Sequence, residues 1–309
     1  MTPLDIIPRI PVGEVIESGL DWIKDTFEPV LEVIRTIGNS LVDGFTELLL
    51  APPELVLVLI FALLAWLVRS WKLALGTGVS FLFIMSMDQW DHAMETLALV
   101  VISTLIALVI AIPLGIWAAK SPVVSAIVRP VLDFMQTMPA MVYLIPAVFF
   151  FSLGAVPGMF ATIIFSLPPG VRLTELGIRQ VDSETVEAGQ SFGATEWEIL
   201  RGIQIPLAIP SIMAGINQVI MLALSMVVIA GMVGADGLGK EVVSALSTVN
   251  IAKGVEAGLA IVILAIFLDR FTAALGAIGQ QKSSLIAMYR TWSAQRGATH
   301  ETNAETVSA

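Results

Sequence analysis

Two short motifs in this chain have the spacing of catalytic sequences. The first, GQSFG at residues 189–193, matches the G-x-S-x-G turn that exposes a nucleophilic serine. That chemistry needs a strand before the serine and a positioned histidine as the base. The chain has two histidines, and the predicted organisation places His92 across a membrane from Ser191 and His300 in a polar tail. A hydrolase is therefore disfavoured.

The second motif, GADGLGKE at residues 234–241, resembles a phosphate-binding loop. Glu241 stands where such a loop has the serine or threonine that binds magnesium. The segment also follows an apolar run on the predicted outer side of a membrane, where no ATP is available. Because the chain has no cysteine, thiolate chemistry is excluded as well. We expect no catalytic, ATPase or metal site in this chain.

The composition predicts an all-α, polytopic membrane protein. Of 309 residues, 56% are hydrophobic and only 14% are charged, whereas about a quarter of a soluble domain is charged. Several runs reach the ~20 apolar residues needed to cross the hydrocarbon core of a bilayer. The net charge of −10 argues against a nucleic-acid partner and leaves membrane lipid as the expected environment.

The helical pattern divides the chain into four regions. Residues 1–50 form an acidic amphipathic segment that does not span, and we expect Pro29 to divide it into two helices. Its role is open between an interfacial helix and a helix packed on the membrane domain. Two additional spans follow in 51–90, the transmembrane core occupies 91–280, and 281–309 form a polar cytoplasmic tail. The seven spans are predicted at 54–70, 72–88, 92–119, 131–153, 156–179, 206–233 and 254–279.

Basic residues orient the seven spans, because cytoplasmic loops carry an excess of lysine and arginine. An outside N-terminus and an inside C-terminus put eleven basic residues inside and five outside. The inner set is Arg69, Lys72, Lys120, Arg129, Arg172, Arg179, Arg201, Arg270, Lys282, Arg290 and Arg296, and the outer set is Arg9, Lys24, Arg35, Lys240 and Lys253.

Proline and glycine are expected to interrupt several spans. They cluster in residues 136–147 and 166–176, the second of which contains Pro168, Pro169 and Gly170. Interrupted backbone at membrane depth is tolerated where it lines a cavity or is covered by protein. The span centres lack ionisable groups, which argues against an ion-coupled carrier. Arg172 and Glu175 are three residues apart, and we predict a local ion pair between them.

Residues 182–206 form a polar island between two apolar runs. Asp182 or Ser183 can cap a short helix that ends at a left-handed glycine, Gly193. Thr195 and Glu198 have the spacing of a capping box for a second helix, which Pro206 is expected to end. This segment therefore predicts two short helices joined by a turn, projecting from the membrane domain as a docking surface.

The island resembles the EAA loop through which ABC-importer permeases rest on their ATPase subunits. Its matching positions are Glu187, Ala188, Gly189, Gly193, Ala194, Ile203 and Pro206. Gly189 replaces the usual second alanine of the motif, and Ile205 replaces the usual leucine before the proline. We call residues 182–206 the predicted coupling loop. The resemblance implies contact with a cytoplasmic ATPase subunit.

The resemblance extends over roughly residues 90–280. Segments such as DFMQTMPAMVYLIPAVFF at 133–150 and LPPGVRLTELGIRQV at 167–181 look like the glycine betaine/proline permeases of the quaternary-amine ABC importers. The family implies a type I importer in the bacterial inner membrane, with two permeases as a homodimer, two ATPases and an extracytoplasmic binding protein. ATP and magnesium would be bound by the ATPase partner, with no cofactor on this chain.

The expected cargo is a small methylated amine such as glycine betaine, choline, carnitine, proline betaine or trimethylamine N-oxide. A quaternary ammonium group is held by aromatic faces and shape rather than by hydrogen bonds. We place polar and soft residues along the pathway: Met135, Gln136, Thr137, Met138, Pro139, Tyr143, Ser225 and Met226. The alternative is a stand-alone facilitator or channel for small osmolytes.

Overall fold

The computed structural model describes residues 11–276, and these residues form helices and turns without a strand. Its helices are α1 (Val12–Leu50), α2 (Glu54–Val68), α3 (Trp71–Ser86), α4 (Trp90–Lys120), α5 (Pro122–Thr137), α6 (Leu144–Phe151), α7 (Ala155–Arg179), α8 (Ser183–Ser191), α9 (Glu196–Ile199), α10 (Ile205–Ser225), α11 (Val227–Met232), α12 (Leu238–Thr248) and α13 (Ile251–Leu275). A 3₁₀ turn (Ala140–Tyr143) precedes α6, and a π turn (Leu200–Gln204) joins α9 to α10. The predicted all-α class is confirmed.

Helices α4, α7 and α10 form the centre of the bundle, with α7 between the other two. Glycines bring them close: a Cβ atom added at Gly170 would lie 2.9 Å from the Cβ of Ala111 on α4 and 3.1 Å from Val219 on α10. The predicted interruption at Pro168, Pro169 and Gly170 is wrong, because α7 continues through all three. All three residues are buried, and neighbouring helices cover the backbone that the prolines leave without hydrogen bonds.

Within residues 11–276, four helices are long and apolar enough to cross a membrane: α4, α7, the continuous helix Glu196–Met232 and α13. The number rises to six if each of two bent pairs counts as one span. One pair is α1 with α2, bent by 100°, and the other is α5 with the segment Ala140–Phe151, bent by 109°. Helices occupy all seven predicted spans, but the predicted span 131–153 is divided by the second of these bends, and the first two, α2 and α3, have only 15 and 16 residues.

Helix α1 runs for 39 residues without a break, so the predicted division at Pro29 is wrong. Proline weakens a helix, but α1 is continuous at Pro29, which is exposed, and only the second half of the helix packs on the domain. Gly38 there approaches Val156 and Met159 at the start of α7, and Val42 and Leu49 are also buried. Of the two alternatives for this segment, packing on the membrane domain therefore describes the second half of α1.

Candidate functional site

The first helix of the predicted coupling loop is held at both ends by local hydrogen bonds. At its start, the Asp182 carboxylate accepts a hydrogen bond of 2.9 Å from the backbone N–H of Glu184. At its end, Gly193 has φ +82°, and its N–H donates to the carbonyl of Gln190. The N–H of Ala194 donates to the carbonyl of Gly189, which completes a Schellman motif. The predicted cap and left-handed turn are both confirmed.

The second helix begins at the predicted capping box. Thr195 Oγ1 accepts from the backbone N–H of Glu198, and the Glu198 carboxylate accepts from the N–H of Thr195 at 2.7 Å. The expected end at Pro206 is wrong, because α9 continues through the π turn into α10. In that turn the N–H of Ile205 reaches back five residues to the carbonyl of Leu200. The hydrogen-bond ladder is thus rearranged directly before the proline, which itself has no N–H to offer.

Gly189, where the sequence departs from the usual alanine, is the point of contact between the two helices of the loop. A Cβ atom there would lie 2.8 Å from Cδ1 of Ile203 and 3.4 Å from Cγ1 of Ile199. Ile203 therefore fills the space that an alanine at 189 would take. Glu187 and Ala188 are exposed beside this contact, as a docking surface requires.

Two exposed aromatic side chains in the loop were missed by the sequence reasoning. Phe192, at the turn between α8 and α9, is 93% exposed, and Trp197 on α9 is 65% exposed. Large aromatic residues dominate the energetics of many protein interfaces. Their position inside a polar island was the available signal. A cavity of about 390 Å³ separates these helices from the ends of α4 and α7, and its lining includes Lys120, Arg179 and Gln190.

The predicted pathway residues lie around a sharp break in the chain. Helix α5 ends at Thr137. Met138 and Pro139 adopt extended backbone, and the next helical segment, Ala140–Phe151, lies at an angle of 109° to α5. The Tyr143 hydroxyl donates to the carbonyl of Met135, which ties the second segment to the end of α5. The ring of Tyr143 also meets that of Phe165 on α7, with centroids 6.1 Å apart.

The structure separates the pathway residues into two groups. Tyr143 and Met226 are buried in one apolar cluster, with Met138 packed against it. Met226 lies where α10 passes into α11. The irregular backbone at this junction is therefore next to the irregular backbone between α5 and α6, which Tyr143 belongs to. Gln136, Thr137, Pro139 and Ser225 lie exposed on the surface of the chain, while Met135 is half-buried against a neighbouring cluster.

Charged residues near the coupling loop pair differently from the prediction. Arg172 binds Asp133 on α5, whereas Glu175 binds Arg129 on α5 and Arg179 on its own helix. The predicted ion pair between Arg172 and Glu175 is therefore wrong. Arg172 and Glu175 are three residues apart on α7, but each finds a partner on α5 instead. Residue spacing within one helix does not reveal such partners on a neighbouring helix.

The two motifs that resemble catalytic sequences have structural roles in this fold. Ser191 is the last residue of α8, and its hydroxyl donates to the carbonyl of Glu187. Lys240, in the segment like a phosphate-binding loop, donates to Asp236 at 2.6 Å. That hydrogen bond and the charge of Asp236 raise the pKa of Lys240. Gly237 has φ +108° and lies against Thr96 of α4, so it serves a close packing contact.

Comparison with known proteins gives three findings. The family described as "Binding-protein-dependent transport system inner membrane component" matches residues 111–277. The chain is 49% identical to the glycine betaine transport system permease protein OpuAB of Bacillus subtilis, over 87% of this chain and 95% of that protein. It is 51% identical to the glycine betaine/carnitine transport permease protein GbuB of Listeria monocytogenes, over 87% and 96%.

Among solved structures, the fold is similar to that of a chain of the MetNI methionine ABC transporter in an inward-facing conformation. The TM-score is 0.53 at 20% sequence identity, and the match covers 59% of this chain and 91% of that chain.

Proposed function

Because this chain belongs to the family of binding-protein-dependent transport system inner membrane components, we propose that it carries a small methylated amine, with glycine betaine as the first candidate. The chain is a permease of an ABC importer and works with an ATPase and a binding protein. The observation that carries the substrate class is its similarity, along 87% of its length, to two permeases named for glycine betaine. Proline betaine, choline, carnitine and trimethylamine N-oxide are the alternatives.

The predicted coupling loop receives the ATPase subunit. Phe192 supports this role. Its side chain is 93% exposed at the tip of a capped turn, so contact with a protein partner would bury a large aromatic surface. Glu187 and Trp197 extend the same exposed surface. ATP and magnesium are bound by the ATPase partner, and this chain contributes contacts and motion rather than catalytic groups. A stand-alone facilitator is not favoured, because this family works with an ATPase.

The pathway passes the break between α5 and the 3₁₀ turn. Gln136, Thr137 and Ser225 offer polar atoms there, and Met138, Tyr143 and Met226 form the soft apolar cluster beside them. A fixed, unpaired carboxylate at this point would hold an ammonium group; residues 134–151 contain no carboxylate, and the nearest one, Asp133, is paired with Arg172. A methylated ammonium group passes by shape and aromatic contact, since it has no proton to donate.

The complete pathway forms between two copies of the chain in the bacterial inner membrane, with the N-terminus outside and the C-terminus inside. The exposure of Gln136, Thr137 and Ser225 on the surface of one copy supports the homodimer. The eleven-to-five distribution of basic residues supports the orientation, which places the coupling loop in the cytoplasm with the ATPase.

Transport by the reconstituted complex tests the substrate class. Proteoliposomes containing this chain, its ATPase and its binding protein should accumulate labelled glycine betaine only when ATP is supplied. Unlabelled choline, carnitine and trimethylamine N-oxide serve as competitors. Accumulation of an amino acid, sugar or metal, with no competition from any methylated amine, would contradict the proposed substrate while leaving the permease architecture unchanged.

A further inference from the structure

Glu175 is a buried carboxylate at the centre of a network that joins three helices. Only 4% of its side chain is exposed. Its Oε1 atom accepts from Ser125 Oγ at 2.7 Å and from Arg129 Nη2 at 2.9 Å, both on α5. Arg179 Nε, one turn further along α7, lies 2.9 Å from the same oxygen. Through its Nη2, Arg179 also donates to the carbonyl of Ala118 at the end of α4.

The network lies between the predicted coupling loop and the predicted pathway. Arg179 is the last residue of α7, and Asp182, which caps α8, follows three residues later. In the other direction, Arg129 lies eight residues before Thr137, where α5 breaks. At 1.5 Å per residue, this stretch of α5 is a helical rod of about 12 Å.

A second ion pair also joins α5 and α7, and its variants can be compared with those of Glu175 in the same protein. Arg172 of α7 binds Asp133 of α5, one turn closer to the break. The side chain of Asp133 is 67% exposed and that of Arg172 is 37% exposed. The two networks differ at the carboxylate: Glu175 is 4% exposed, although its partners Arg129 and Arg179 are 59% and 36% exposed. A solvent-exposed pair contributes little to stability, whereas a buried carboxylate depends on its charged partners.

We propose that Glu175 is a positioning residue that makes α5 follow the movement of the coupling loop, so that ATP-driven motion reaches the break at Met138 and Pro139. The inference rests on the proposed function, since it assumes that residues 182–206 receive the ATPase. Glu175 touches neither ATP nor substrate in this scheme. It acts by holding the end of α7 and the start of α5 as one unit.

The test compares Glu175→Gln with Asp133→Asn in proteoliposomes that contain the complete importer. Glutamine keeps the size of the side chain and can still accept from Ser125, but it removes the charge that holds Arg129 and Arg179. Each variant is measured for ATP hydrolysis and for uptake of labelled glycine betaine in the same vesicles. The ratio of molecules transported to ATP hydrolysed is the readout, because reduced folding or assembly lowers both rates without changing it.

We expect Glu175→Gln to lower this ratio by about tenfold or more and Asp133→Asn to change it by less than about twofold, following the difference between a buried and an exposed carboxylate. Equal ratios in both variants and the wild type would overturn the proposal. If Glu175→Gln does not assemble, Ser125→Ala removes one hydrogen bond from the carboxylate and should lower the ratio by a smaller, measurable amount. An unchanged ratio there would also overturn it.

The wild-type complex separates this proposal from the proposed function. If the wild type shows no ATP-dependent uptake of any methylated amine, the proposed substrate is wrong, and the ratio is measured with the solute that the complex does carry. If wild-type uptake is normal and only the effect of Glu175 is missing, the positioning role alone is wrong.

Discussion

Replacing Gly193 by alanine tests whether the left-handed turn after α8 holds in place the two helices that we propose as the docking site of the ATPase. Gly193 has φ +82°, and a Cβ atom added there would meet nothing within 4 Å. The substitution therefore introduces backbone strain without a steric clash. A residue with a side chain in this conformation costs about 1–2 kcal/mol. That energy corresponds to roughly a five- to thirtyfold change in the equilibrium constant between the native turn and other conformations, which is the upper limit for the loss of ATPase affinity.

The matched control is Gly202→Ala, in the π turn of the same loop. A Cβ atom at Gly202 also meets nothing within 4 Å, and its backbone is not left-handed. Alanine there favours the helix by up to about 1 kcal/mol. Titration of the ATPase onto the reconstituted permease should give binding weakened by up to about five- to thirtyfold for Gly193→Ala and no weakening for Gly202→Ala. Equal affinities for the two variants would refute the role of the turn.

Further predictions concern the docking surface, the orientation and the packing. Phe192→Ala should weaken ATPase binding by about 2 kcal/mol or more without lowering the amount of permease in the membrane, and wild-type affinity in a pull-down titration would exclude Phe192 from the interface. Because the chain has no cysteine, single cysteines at Ser244 and Ser283 should react with an impermeant thiol reagent only from outside and only from inside, respectively; reversed labelling would contradict the orientation. Gly239→Ala should lower thermal stability, because its Cβ would lie 2.1 Å from the carbonyl oxygen of Val227, while Gly78→Ala, with open space around it, should not.

Local backbone chemistry made much of the coupling loop predictable from the sequence. The cap at Asp182, the left-handed Gly193 and the capping box of Thr195 and Glu198 each depend on residues within a few positions of one another. Such motifs form in the same way on different proteins, because their hydrogen bonds close within a single turn. Their positions were therefore predicted to within one residue.

Proline effects were the least predictable feature, because they depend on what surrounds the helix. Pro29, Pro168 and Pro169 lie inside continuous helices, whereas Pro139 follows a break of 109°. The sequence alone presents these residues as equivalent helix breakers. Pro168 and Pro169 are buried between α4 and α10, where packing keeps the helix intact, whereas Pro29 is exposed and its surroundings do not explain its continuous helix.

Pairing between distant positions was also beyond the sequence. Glu175 lies 46 residues from Arg129 and 50 from Ser125, and only the antiparallel contact of α5 with α7 brings them together. The contact made by Gly189 was equally hidden, since it depends on the tip of Ile203, which reaches it from the π turn. Both features arise from helix packing, which no local pattern specifies.

The π turn at Leu200–Gln204 has a geometric consequence for the loop that it carries. A π turn holds one residue more than the α-helical turn it replaces, so it acts as a one-residue insertion within a continuous rod. Each residue of an α-helix adds about 100° of rotation and 1.5 Å of rise. Gain or loss of a single residue here would swing Trp197 and Phe192 around the axis of α10 to a different side of the protein. The direction in which the proposed docking surface faces is thus fixed by the length of one turn, independently of the side chains on that surface.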